Sequence, residues 1–91
     1  MRYENKIVWV TGGGSGIGRA MALEFARQGA NVAVSGRRLD RLQSVADEVT
    51  VLGREGLAIQ CDVTDESAVE SAVASLVERF GQLDVVVANA G

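Results

Sequence analysis

The segment of this sequence best suited to chemistry is Thr11-Gly12-Gly13-Gly14-Ser15-Gly16-Ile17-Gly18. Glycine lets a chain turn sharply and bring its backbone against a ligand with no Cβ in between. An apolar run precedes the segment and helical spacing follows it. The free amides and positive dipole end of that helix therefore face the loop and make it an anion site. A pyrophosphate suits both features. A glycine-rich turn without a ligand is the plainer alternative, but the strand–loop–helix placement favours phosphate. No Gly-Lys-Ser/Thr follows, which counts against ATP hydrolysis.

Ser35-Gly36-Arg37-Arg38 closes the second strand. A site that prefers NAD usually carries an acidic residue there, accepting from the ribose 2′-hydroxyl. Here Gly36 takes that position and two arginines follow, and a guanidinium can pair bidentately with a 2′-phosphate. A solvated basic helix start with Asp40 as partner is the alternative. NADP is favoured over NAD. Cys61-Asp62-Val63 ends the third strand at the same edge. Asp62 is suited to accept from an adenine amino group and Val63 to pack on the ring; equally, Asp62 can be a helix-start carboxylate in a turn. Asn89, in Asn89-Ala90-Gly91 after the fourth strand, either bridges strands or begins a turn. Cys61, Trp9 and Phe25 read as core. Tyr3 and Lys6 mimic an acid–base pair, but their spacing of three and their place before the first strand put them at the wrong end of a sheet.

These segments need a scaffold, and the apolar pattern supplies one. Ile7-Val8-Trp9-Val10 is continuous, as in a strand covered on both faces. Ile17, Met21 and Phe25 recur every fourth residue and predict a helix that stops at Gly29. A second strand spans Asn31 to Ser35. Leu39, Leu42, Val45, Ala46, Val49 and Leu52 trace a second helix. Leu57 to Cys61 reads as a third strand, placed at a sheet edge by Gln60. Thr64 is the expected cap of a third helix with the stripe Val69, Val73, Leu76, Val77 and Phe80. Val85 to Ala88 gives the fourth strand. The β-α-β-α-β-α-β series builds an α/β, Rossmann-type doubly wound parallel sheet, expected in the order 3-2-1-4, with ligands at the carboxyl ends of the strands. So apolar a fourth strand is a poor free edge, and residues 1–91 are therefore expected to be the N-terminal part of a larger domain, able to self-associate through that strand.

Composition narrows the classes further. The 91 residues are 47% hydrophobic and 23% charged, with eleven glycines, no proline and no histidine, as in an ordinary globular chain. A net charge of −3 argues against a nucleic-acid partner. One cysteine and no histidine exclude the usual zinc sites and histidine triads. With no signal peptide and no membrane span in the sequence, the expected location is the cytoplasm.

Together, Thr11-Gly12-x-x-x-Gly16-x-Gly18, Asp62 and Asn89-Ala90-Gly91 resemble the short-chain dehydrogenase/reductase family from Lys6 to Gly91. The resemblance implies that Gly12, Ser15, Gly16, Ile17 and Gly18 hold the pyrophosphate and that Asp62 and Val63 meet the adenine. Asn89 and Gly91 would support the sheet and line the nicotinamide-side ribose. The Gly36-Arg37-Arg38 turn is similar to that of NADP-preferring members, with Arg37 the first candidate for the phosphate and Arg38 the second. The implied reaction is hydride transfer between NADP(H) and a small carbonyl or alcohol substrate, in a protein expected to be a homo-oligomer. The family's catalytic asparagine, serine and Tyr-x-x-x-Lys follow the fourth strand and are not in this sequence, where Tyr3 and Lys6 are the only residues of their types. A non-catalytic NADP-binding or sensing module, or a half-domain completed by a partner chain, are the competing expectations.

Overall fold

Four short strands alternate with three helices in the computed structural model, which describes residues 2–89. The elements are β1 (Ile7–Thr11), α1 (Gly16–Arg27), β2 (Asn31–Gly36), α2 (Leu39–Val51), β3 (Gly56–Gln60), α3 (Glu66–Phe80) and β4 (Val85–Val87). All neighbouring strands are parallel and their order is β3-β2-β1-β4, the expected doubly wound arrangement. Trp9 in β1 lies opposite Ala33 on one side and Val86 on the other. Every residue of β1 is buried, as its unbroken apolar run requires of a central strand.

Alternation along β1 divides the core into two layers. Val8 and Val10 join Val32, Val34, Ala22, Leu23, Leu42, Val45 and Val49 under α1 and α2. Ile7 and Trp9 join Ala33, Cys61, Ala72 and Leu76 under α3. The Trp9 indole donates to the hydroxyl of Ser35, itself fully buried, at 2.8 Å, which ties the centre of β1 to the end of β2.

Three details differ from the sequence expectation. The face that α1 buries is Gly18, Ala22, Leu23 and Ala26, while Ile17 is 69% exposed and Met21 and Phe25 are half-buried. Small side chains allow the helix to lie close to the sheet, and the bulky ones flank the contact. The cap of α3 is Asp65 rather than Thr64: its carboxylate accepts from the amides of Ser67 and Ala68. The Thr64 hydroxyl is engaged elsewhere, donating to Asp62 at 2.7 Å. The third helix also buries Ala72, outside the expected stripe, and leaves Val77 exposed. Among the described residues, no helix is long and apolar enough to cross a membrane.

Candidate functional site

Parallel strands bring their carboxyl ends to one edge, and the loops that leave β1, β2 and β3 meet there with the segment that follows β4. They enclose a cleft of about 640 Å³, within the size range of small-molecule sites. Its walls include Gly12, Gly14 and Ser15 from the first loop, Gly36, Arg37 and Arg38 from the second, Asp62 and Val63 from the third, and Asn89. All the described sequence candidates except Gly16, Ile17 and Gly18 are brought together in this lining. Gly91 lies outside the described residues.

The glycine loop is held from within. Ser15 caps α1: its hydroxyl donates to the Gly12 carbonyl at 2.9 Å and accepts from the Gly18 amide at 3.1 Å. The Asn89 side-chain amide donates to the same carbonyl at 3.3 Å and to the Ser15 hydroxyl at 3.1 Å. Thr11 completes the tie, accepting from the Asn89 backbone amide at 3.0 Å and donating to the Val87 carbonyl at 3.3 Å. Of the two openings the sequence left for Asn89, the structure takes the bridging one. A Cβ at Gly12, whose φ is +67°, would stand 2.3 Å from the Asn89 carbonyl oxygen, and one at Gly18 would stand 2.1 Å from the Gly12 carbonyl oxygen. Gly16 differs: a Cβ there would meet nothing within 4 Å. So Gly12 and Gly18 are demanded by packing, and Gly16 by no contact among the described residues.

Charge collects on the opposite wall. Arg37 reaches from the end of β2 to Asp62 at 3.6 Å, and its carbonyl accepts from the Gln60 side chain at 3.0 Å. Asp62 also accepts from the Thr64 amide at 2.9 Å. The Thr64 hydroxyl and amide, with Arg37 beside them, hold the Asp62 carboxyl below the usual carboxylate range. Asp62 thus serves as a turn carboxylate while one of its oxygens still faces Arg37. Arg38 is the N-cap residue of α2, with no side-chain capping bond, and pairs with Asp40 at 3.9 Å. Val63 is 54% exposed, an apolar side chain open to the cleft. Burial, followed by the charges of Asp62 and Asp65, pushes the Cys61 thiol up, so it stays protonated and packs as core.

Sequence reading overlooked Arg41, which lines this cleft from the first turn of α2. The helical return that carries a residue back toward the loop it left is the signal that would have found it. Tyr3 lies away from the cleft, against the C-terminal end of α1: its ring meets Phe25 edge-on at 4.9 Å and its amide donates to Gln28. Among the described residues, no group of three or more histidine, cysteine or carboxylate side chains is placed to hold a metal.

Residues 6–91 match the family model for the short chain dehydrogenases. The chain belongs to that family. Hydroxynaphthalene reductase arp2 of Aspergillus fumigatus is 45% identical over 87 residues, which cover 94% of this short chain dehydrogenase sequence and 32% of the relative. The hydroxysteroid dehydrogenase of Escherichia coli superposes with a TM-score of 0.95 at 37% identity, over 99% of this chain and 38% of its own. A xylitol dehydrogenase solved with NAD+ bound superposes with a TM-score of 0.91 at 35% identity, over 94% of this chain and 33% of its own. The chain spans about a third of the length of the curated relatives it matches.

Proposed function

We propose that this short chain dehydrogenase sequence is the cofactor-holding part of an NADP(H)-dependent oxidoreductase acting on a small carbonyl or alcohol. Bound nicotinamide would supply hydride chemistry. The chain's own residues bind and orient. The first-turn amides of α1 have no intrahelical acceptors. Ser15 accepts from the Gly18 amide and those of Gly16 and Ile17 remain for a diphosphate. The open space at Gly16 allows the close approach that such a group needs. Exposed Val63 offers an apolar face to an adenine ring, with Asp62 at its edge. Asn89 steadies the loop from β4 through its two side-chain bonds. Proton transfer in this family rests on a serine, a tyrosine and a lysine that follow the fourth strand, so turnover needs side chains that these 91 residues do not supply.

The observation that carries the cofactor preference is the placement of Arg37 and Arg38 in the cleft wall directly after Gly36, where an NAD site would hold a carboxylate. Replacing Arg37 by alanine tests it. NADP(H) binding is expected to weaken by about 1.5–3 kcal/mol, roughly 10- to 150-fold, while NAD(H) binding barely changes. Titration of nicotinamide fluorescence reads both. Equal losses for the two coenzymes would mean that Arg37 does not read the 2′-phosphate.

A further inference from the structure

Arg19 belongs to the first turn of α1, where its amide donates to the Ser15 carbonyl at 2.8 Å. Its side chain leaves the glycine loop and crosses a hollow to α2. There Nε and Nη2 each donate to one carboxylate oxygen of Glu48, the Nε bond at 2.7 Å. The bond from Arg19 holds the Glu48 carboxyl below the usual carboxylate range, so the pair stays charged at neutral pH.

The place of this pair matters more than its strength. Beside it, Ala22 and Leu23 of α1 share one buried layer with Leu42, Val45 and Val49 of α2. Apolar burial has no direction and leaves two helices free to slide by small amounts. Two parallel donors on one carboxylate have direction and fix the offset. The first turn of α1 holds no acidic side chain of its own. A carboxylate there would suit the helix dipole but repel a diphosphate. Glu48 arrives from the next helix with its charge matched by Arg19, so the turn is tethered without net negative charge near the Gly16 and Ile17 amides. At the other end, α2 begins directly after the turn that follows β2, and Gly14 rests over it: an added Cβ would stand 3.4 Å from the Arg41 Cβ and 3.8 Å from the Leu42 Cδ2. A slide of α1 along α2 therefore changes the gap between the amides suited to a diphosphate and the wall suited to adenosine.

We infer that Arg19 and Glu48 are positioning residues, whose clamp between α1 and α2 sets that gap so that both ends of one nucleotide are met at once. The inference rests on the dinucleotide reading of the cleft and adds to it the pair that keeps its two halves in register. Neither residue touches the nucleotide.

Three probes separate the halves from the whole: inorganic pyrophosphate for the loop, adenosine for the opposite wall, and ADP, which spans both. Calorimetric titration of the parent, Arg19→Ala, Glu48→Gln and the double variant reads each, with circular dichroism melts showing that every protein is folded at the titration temperature. Each single variant is expected to weaken ADP about 5-fold, the upper range for an exposed ion pair, and to move pyrophosphate and adenosine less than about 2-fold. The double variant is expected to lose no more than either single one. Unchanged ADP affinity in both single variants, or losses that add in the double variant, overturn the clamp while the cofactor reading stands. If Arg19→Ala weakens pyrophosphate and Glu48→Gln strengthens it, the guanidinium meets the anion directly and the positioning role falls. A parent protein that binds none of the three overturns the nucleotide site itself, and this inference with it.

Discussion

Gly16 and Gly18 sit on the same turn of chain yet are glycine for different reasons, and changing each to alanine is the sharpest test of the site. At Gly18 the new Cβ would stand 2.1 Å from the Gly12 carbonyl oxygen and 2.9 Å from the Asn89 side-chain nitrogen. The first neighbour is backbone, and backbone cannot swing aside. Overpacking of this kind costs about 1–3 kcal/mol. The shift also endangers the bonds from the Gly18 amide to Ser15 and from Asn89 to Gly12, each worth about 1 kcal/mol. Together these give a loss of about 3–5 kcal/mol, a large part of a small domain's stability. At about 4–8 °C per kcal/mol, that lowers Tm by roughly 12–40 °C. At Gly16 the Cβ meets nothing, and alanine in a helical turn adds up to about 1 kcal/mol of stability. Yet that methyl group occupies the approach to the amides of α1, so nucleotide affinity is expected to fall about 10-fold or more. Thermal melts followed by circular dichroism, paired with NADPH titrations, separate the two cases. A Gly18→Ala protein melting with the parent would refute the packing account. A Gly16→Ala protein binding NADPH as the parent does would refute the account of the diphosphate cradle.

Two further predictions concern the scaffold. Trp9→Phe removes the donor to the fully buried Ser35 hydroxyl and is expected to cost about 1–3 kcal/mol beyond the lost packing, read from denaturant midpoints. Adding Ser35→Ala should restore part of that, and a double variant no more stable than Trp9→Phe would show that the orphaned hydroxyl is not the cause. At the other end of β1, the Ile7 amide and then the Gln82 side chain donate to Asp84 and hold its carboxyl below the usual carboxylate range. A carboxyl depressed in the folded state adds stability that is complete above its unfolded pKa, about 3.9, and is lost as pH falls through the lower folded value. Asp84→Asn should therefore destabilise at neutral pH and show a shallower decline below about pH 4, measured by melts across that range; parallel acid profiles would rule out the linkage.

Much of the architecture was legible because it rests on periodicity. The unbroken run at Ile7–Val10 could only suit a strand covered on both faces, and Gln60 marked β3 as an edge. The misreadings share a cause. Spacing arguments weigh bulk, so Ile17, Met21 and Phe25 stood out, whereas a helix lying close to a sheet buries its small residues, Gly18, Ala22 and Ala26, together with Leu23. Thr64 and Asp65 are both acceptable caps by type, and only the turn that gives Thr64 to Asp62 decides between them. At the cleft, residues next to strand ends were found because strands fix where they emerge. Arg41 was not, since its place depends on how α2 turns back over Gly14. Nor does sequence reveal which cations are already paired.

The knot of bonds joining Asn89 to Thr11, Gly12 and Ser15 spans 74 to 78 positions of chain. On a ribosome, which releases the amino end first, the loop that would grasp a diphosphate is made early and braced only 74 to 78 positions later. Until position 89 has emerged and docked, that loop lacks its strut and coenzyme has only a partly organised cradle to enter. Coenzyme capture during translation would therefore mark the moment at which β4 has taken its place beside β1.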